Sequence, residues 1–325
     1  MVNVALLSQW HVHAKGYAEE MKAVPFVNIK VLWDEDSARG EAWAKELGCE
    51  FEPDLDKVLA REDIDAVSVT TPTCDHKEVM IKAAKAGKHI FTEKVLAIKP
   101  EDAEEIKKAV DEAGVKFLIA LRRRTEPRLL YVKDLLDQGV IGKVTHLRVR
   151  DAHDGASSNW LPDTFYNVEQ CGGGAMMDLG AHPMYLCLYY LGEPKFVSSV
   201  FTECCGKGVD DNCVSVLEYD NGAIAVSETS FVSKRCPFSL EINGTEGDIY
   251  LNDNMDGAVW ITTEKGLQVV SKEEIPERMP QPPVLFCECL EEGKDMPFTV
   301  EDGLHLTKLM NAAYRSAQEG KKVTY

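Results

Sequence analysis

The residues of this chain best suited to chemistry are a lysine in the dipeptide Glu93-Lys94 and the pair Asp178 and His182, which follows the run Cys171-Gly172-Gly173-Gly174. Residues four apart on a helix share a face, so a helix over 174–191 presents Asp178 and His182 together. Three glycines ahead of that helix let another backbone or a ligand come close. A hydride leaves a carbinol carbon only if the hydroxyl proton is taken as the carbonyl forms, and an imidazole suits that task. The set therefore reads as His182 the base, Asp178 orienting the ring or binding a neighbouring hydroxyl, and Lys94 stabilising the alkoxide and relaying the proton. Plainer roles stay open: a surface lysine for Lys94, and a core histidine held by its neighbour for the pair.

A hydride needs an acceptor, and the first half of the chain has the rhythm of a dinucleotide-binding fold. Apolar runs at 2–7, 27–33, 66–70, 89–92 and 115–120 alternate with helical stretches at 14–24, 37–47, 55–60, 76–86 and from Pro100 to Gly114. Right-handed crossovers make this an α/β domain with a doubly wound parallel sheet of the Rossmann kind, over residues 1–122. Ligands of such sheets lie beyond the carboxyl ends of the strands, with pyrophosphate at the start of the first helix. The turn there reads Ser8-Gln9-Trp10-His11-Val12-His13, with Ser8, Trp10 and His13 where the usual signature has glycine. Ser8, Trp10 and His11 are the candidate contacts in this turn. Asp34 ends the second strand, where a carboxylate accepts the adenosine ribose hydroxyls and disfavours a 2′-phosphate; it could equally cap the next helix. The expected cofactor is NAD, with NADP open because Arg39 lies close by. Thr71, Pro72 and His76 after the third long run, with Glu93 and Lys94, complete the cofactor side.

Past Arg122-Arg123-Arg124 the pattern changes. A helix at 127–138, a strand at 144–151 and the 174–191 helix precede consecutive strands at 196–201, 212–219, 223–231, 238–243 and 249–251, with Asn221-Gly222 as a hairpin turn. Residues 123–325 thus read as an α+β domain for substrate binding and oligomerisation, with an open, mostly antiparallel sheet covered on one side. A helix at 301–319 closes the chain, packing late and back across the boundary. Arg122, His153, Asp154 and Trp160 are candidate substrate contacts, since sugar rings need several hydrogen-bonding partners and an aromatic face.

Composition narrows the partners. With 54 acidic and 36 basic side chains the net charge is -18, which repels nucleic acid and anionic lipid. No segment is long enough to span a bilayer, and the amino terminus enters a strand directly, so the expectation is a cytoplasmic protein. Ten cysteines include Cys204-Cys205 and the pair Cys287 and Cys289, spacings of free thiols rather than of zinc fingers. His11-x-His13 and His153-Asp154 supply usable ligands, yet two loop histidines more often hydrogen-bond locally, so no metal is expected.

These residues resemble the Gfo/Idh/MocA oxidoreductases, which include glucose–fructose oxidoreductase and inositol dehydrogenases. The resemblance runs over nearly the whole chain and rests on Glu93-Lys94, on Gly172 to His182 and on Asp34. It implies that Lys94, Asp178 and His182 act together at a substrate hydroxyl, and that the open sheet builds homodimers or homotetramers. Val95 stands where many members have proline, and Ser8 and Trp10 stand in the place of glycines. Three functions follow as alternatives: a dehydrogenase for a sugar, polyol or glycoside; a lyase or glycosidase that retains its cofactor and works by transient oxidation; and a ligand sensor without turnover.

Overall fold

A strand whose every residue is apolar or small belongs to a sheet covered on both faces. In the computed structural model, which describes residues 1–234 and 238–325, this is the case for β4 (Ala66–Val69), buried at all four positions. Around it lie β1 (Val2–Leu7), α1 (Ala14–Lys22), β2 (Val27–Trp33), α2 (Ser37–Leu47), β3 (Glu50–Phe51), α3 (Leu55–Leu59), α4 (His76–Lys85), β5 (His89–Thr92), α5 (Pro100–Ala113) and β6 (Phe117–Ile119). The strands run parallel in the order β3-β2-β1-β4-β5-β6. Connections leave β1 in opposite directions, so its carboxyl end and that of β4 flank the switch point where such sheets hold ligands. The two-residue β3 is too short to read from sequence.

The next elements are α6 (Pro127–Asp137), β7 (Val144–Ala152), the single turn α7 (Val168–Cys171), α8 (Ala181–Leu191), β8 (Phe196–Thr202), β9 (Asn212–Glu218), β10 (Ile224–Ser230), β11 (Ser239–Gly244), β12 (Gly247–Asn252), β13 (Val259–Thr263) and β14 (Gly266–Val270). With β15 (Val323–Thr324) they form a nine-stranded sheet, β14-β13-β12-β11-β7-β10-β9-β8-β15. Among the described residues of this sheet only β7 and β10 pair parallel. Gly222, at φ 86°, turns the β9–β10 hairpin at the predicted Asn221-Gly222. Leu147, Val149, Ala225, Leu240 and Ile242 are buried on the face against which α8 packs. Val200, Val214, Ile224, Leu267 and Val269 remain exposed.

Helices α9 (Pro282–Glu292) and α10 (Val300–Glu319) follow the sheet. Two compact units emerge: Met1–Leu121 with Pro280–Thr307, and Arg122–Met279 with Lys308–Tyr325. The sequence reading ran its second domain unbroken from 123; the chain instead returns to the first unit at residue 280. The reason is apolar burial: α9 packs on α1, β1 and β6, Phe286 meets Phe91 at a ring separation of 5.8 Å, and Ile119 N–H donates to Phe298 O at 3.1 Å. The expected 174–191 helix also needs correction, because α8 starts only at Ala181 and residues 175–180 are turns.

Candidate active site

In the first unit, the turn after β1 forms without its glycines. Ser8 itself takes the left-handed conformation, φ 78°, that the tight turn requires, and its Oγ accepts the Trp10 N–H at 3.0 Å. That hydrogen bond offsets a strain most side chains avoid. Trp10 is 9% exposed and His11 7%, while half-exposed His13 occupies the cap position of α1.

Asp34 is buried. It accepts the Gln9 N–H at 2.8 Å, the Asp36 N–H at 2.8 Å, and Arg39 Nη2 and Nε at 2.6 and 3.0 Å. The cap of α2 is Asp36, whose carboxylate takes the Ala38 and Arg39 N–H groups. Arg39 also reaches Glu35 and Ser8 Oγ. Asp34 thus ties the β1 turn to the end of β2 and fixes Arg39.

Beyond β4, Thr71 and Pro72 are buried, and the Thr71 hydroxyl has no hydrogen-bond partner. His76 is 1% exposed; its Nδ1 faces Val95 O at 3.0 Å and Leu96 O at 3.2 Å, while Nε2 has no partner. It therefore braces the loop that carries Lys94. Burial pushes the His76 pKa below the usual histidine value, outweighing the carbonyls of Leu96 and Val95. Its stability contribution is complete above about pH 6.5 and is lost as the pH falls toward its depressed folded pKa, because the unfolded chain takes up the proton first. Urea unfolding at about pH 7.5 and about pH 5.5 is expected to show the gap between wild type and His76→Gln narrowing at the lower pH; a constant gap refutes the assignment.

Glu93 and Lys94 at the end of β5 are both buried. Glu93 Oε1 accepts the Lys94 N–H at 2.8 Å, and Oε2 meets His13 Nδ1 at 2.8 Å and the Tyr17 hydroxyl. Burial alone would raise the Glu93 pKa, but His11, His13 and Lys94 hold it well below the usual carboxylate value.

In the second unit, the glycine run serves close packing. A Cβ on Gly173 would lie 2.0 Å from the Tyr314 hydroxyl, and one on Gly174 2.1 Å from Asp210 O. The Asp210 carboxylate accepts the Gly174 and Met176 N–H groups at 3.0 and 2.8 Å and the Tyr314 hydroxyl at 2.8 Å, while its carbonyl takes the Ala175 N–H at 2.7 Å. Tyr314 Oη accepts Met177 N–H at 3.2 Å. These bonds claim amides that a helix would use, so Asp178 sits in a turn three residues before α8 and His182 in its first turn.

His182 Nδ1 lies 2.7 Å from the Tyr185 hydroxyl, which also accepts the Arg123 N–H at 2.9 Å. Arg123 pairs with Asp151 at 2.8 Å and with Glu126 at 2.7 Å. Burial holds the Tyr185 phenol well above its usual pKa, so it stays protonated. Arg122 opens the turn before α6 and is partly exposed. His153 stacks on Phe231 at 4.9 Å and meets Trp160 at 4.7 Å. Trp160, 55% exposed, donates its indole N–H to Asp154 at 3.0 Å. The three named candidates of this loop form one aromatic and polar patch.

Residues 9–121 match the NAD-binding Rossmann domain of the Gfo/Idh/MocA oxidoreductases, and residues 129–250 match the C-terminal domain of the same group. The chain belongs to this family. It is 29% identical over 328 residues to a scyllo-inositol 2-dehydrogenase (NAD(+)) of Bacillus subtilis (strain 168), covering 96% of this chain and 92% of that one. Over 224 residues it is 40% identical to a 2,7-anhydro-N-acetylneuraminate hydratase of Mediterraneibacter gnavus, covering 67% of this chain and 59% of that one. In fold it resembles a levoglucosan dehydrogenase solved with NADH and levoglucosan, with a TM-score of 0.88, 23% identity and 99% of both chains covered. The family is one of NAD-binding oxidoreductases, as the resemblance implied.

Sequence reasoning missed Tyr17, Arg123, Tyr185, Asp210 and Tyr314. Tyr185 and Tyr17 had local signals, at i+3 from His182 and i+4 from His13; Tyr314 and Asp210 are 104 residues apart. No helix among the described residues is long and apolar enough to cross a membrane, and all nine described cysteines are free thiols, Cys236 lying outside the described residues.

Proposed function

We propose that this protein transfers a hydride between nicotinamide and a secondary hydroxyl of a sugar, inositol or glycoside, with Lys94, Asp178 and His182 at the reacting hydroxyl. The observation that carries the reading is the His182–Tyr185–Arg123 chain of hydrogen bonds. Tyr185 fixes the His182 ring through Nδ1, so Nε2 is the nitrogen left to exchange a proton with the substrate hydroxyl. The pair Arg123–Asp151 anchors the network against drift. Lys94, an ammonium in a buried position, stabilises negative charge on the substrate oxygen.

The first unit fits a dinucleotide. Thr71 Oγ1 and His76 Nε2 are buried polar atoms lacking partners at the switch point, and a hollow of about 440 Å³ beside the end of β2 is lined by Trp33, Pro53, Leu55, Asp75 and Val79. NAD, when bound, supplies the hydride acceptor. Ser8 to His11 would face its pyrophosphate, Asp34 and Arg39 its adenosine ribose, the hollow its adenine, and Thr71 and Pro72 its nicotinamide. Around the hollow four acids, Asp54, Asp56, Asp75 and Glu78, outnumber one cation, Lys82, which pairs with Asp56 and Glu78; this balance opposes a 2′-phosphate and favours NAD over NADP. His153, Asp154 and Trp160, with Arg122, supply the sugar platform. The exposed valines and Ile224 of the nine-stranded sheet favour a second copy of this chain as partner, and the free thiols favour a cytoplasmic setting.

A second reading, retained cofactor with transient oxidation leading to elimination or hydration, is favoured by the 40% identity to the hydratase. The test is calorimetric titration of nucleotide-stripped protein with NAD⁺ and NADP⁺, followed by a screen of inositols, aldoses and anhydrosugars for NADH absorbance. Tighter binding of NAD⁺ and steady NADH formation are expected. Product without NADH moves the second reading forward, and no binding of either nucleotide overturns both.

A further inference from the structure

His11, His13 and Glu93 are the only group of three or more His, Cys, Asp or Glu side chains among the described residues whose ligand atoms converge, all within 4.8 Å. We infer that they form a binding site for one divalent metal ion of the zinc class. Two imidazole nitrogens and a carboxylate oxygen are a known zinc donor set, distinct from the all-oxygen shells that calcium and magnesium require.

The distances are near those of a closed tetrahedral site. Metal bonds of about 2.0–2.2 Å in a tetrahedron place donors roughly 3.3–3.6 Å apart. Glu93 Oε2 lies 2.8 Å from His13 Nδ1 and 3.6 Å from His11 Nδ1, one below that edge and one at its upper end, and the ligand atoms of the two histidines lie within 4.8 Å of each other. Both histidines turn Nδ1 toward Glu93 Oε2, and His11 Nδ1 also accepts the His13 main-chain N–H at 3.2 Å, a bond that the ion replaces on binding.

The surroundings are also those of a ligand shell. Metal-bound carboxylates are normally held by further hydrogen bonds. Here Glu93 Oε1 takes the Lys94 N–H and Oε2 the Tyr17 hydroxyl. Glu93 and His11 are buried, whereas His13 is 38% exposed, leaving a way in for the ion and a face for a fourth, oxygen ligand. Two loop histidines make only part of a site, which is why the sequence alone pointed away from metal. Glu93, 80 residues beyond His13, is the missing donor.

The test is calorimetric titration of chelator-treated full-length protein with zinc chloride, beside His11→Gln, His13→Gln and Glu93→Gln. One ion per chain at micromolar affinity or tighter is expected, weakened about tenfold or more in each variant. A wild type that takes no ion, or variants that bind equally well, would overturn the site. Cobalt(II) added to the wild type covers the case of a variant that does not fold. Visible ligand-field bands without thiolate charge-transfer absorption support the three donors, and a thiolate spectrum places the metal on the cysteines and overturns the proposal.

Discussion

Replacing His182 by alanine is expected to lower turnover by about two orders of magnitude or more while leaving NAD⁺ affinity nearly unchanged. Alanine is the best helix former, so α8 should keep its start. The Tyr185 hydroxyl keeps the Arg123 N–H as partner. What disappears is the ring that accepts the hydroxyl proton, and that loss falls on kcat. Lys94→Ala should behave alike: its main-chain N–H bond to Glu93 survives, while the ammonium that acts on Glu93 and on the substrate oxygen is lost. Steady-state kinetics and nucleotide calorimetry on both variants decide the point. Unchanged turnover in either removes that residue from the mechanism.

The largest effect on stability is expected at Asp210. Asp210→Ala deprives the Gly174 and Met176 N–H groups and the Tyr314 hydroxyl of their acceptor, and also the Cys213 thiol at 3.2 Å. Leaving several donors unsatisfied costs about 3 kcal/mol, read as a lower urea midpoint. Turnover should fall as well, since the freed turn is the one that carries Asp178. Asp210→Asn keeps one acceptor oxygen and should recover part of both losses. An Asp210→Ala protein with the wild-type midpoint would show that the glycine turn is held by its packing alone.

What the sequence disclosed follows from how much of each signal is local. The parallel strands were readable because β1, β4 and β5 are buried on both faces, which forces continuous apolar runs. Strands β13 and β14, at the far edge of the second sheet, mix Thr, Gln and Gly with their apolar residues and gave no clear alternation. Ser8 stands where the dinucleotide signature has glycine, and its own hydroxyl secures the turn. Asp34 was placed correctly at the end of β2, but its partner Arg39 and the capping role of Asp36 depended on side-chain directions. The Met176-Met177-Asp178-Leu179 segment has helical composition; its amides are diverted by Asp210 and Tyr314, which no spacing rule connects to it. The convergence of His11, His13 and Glu93 is invisible for the same reason.

The return of Pro280–Thr307 to the first unit bears on how the protein is made. The 158 residues from 122 to 279 emerge between the two parts of that unit. At about 5–20 residues per second, the early strands wait roughly 8–30 s for α9 to cover α1, β1 and β6. During that interval the ribosome carries an incomplete nucleotide-binding half with an apolar flank bare. A chain cut short anywhere between residues 122 and 279 leaves that flank uncovered for good, which makes such truncated translation products natural clients for chaperones and proteases.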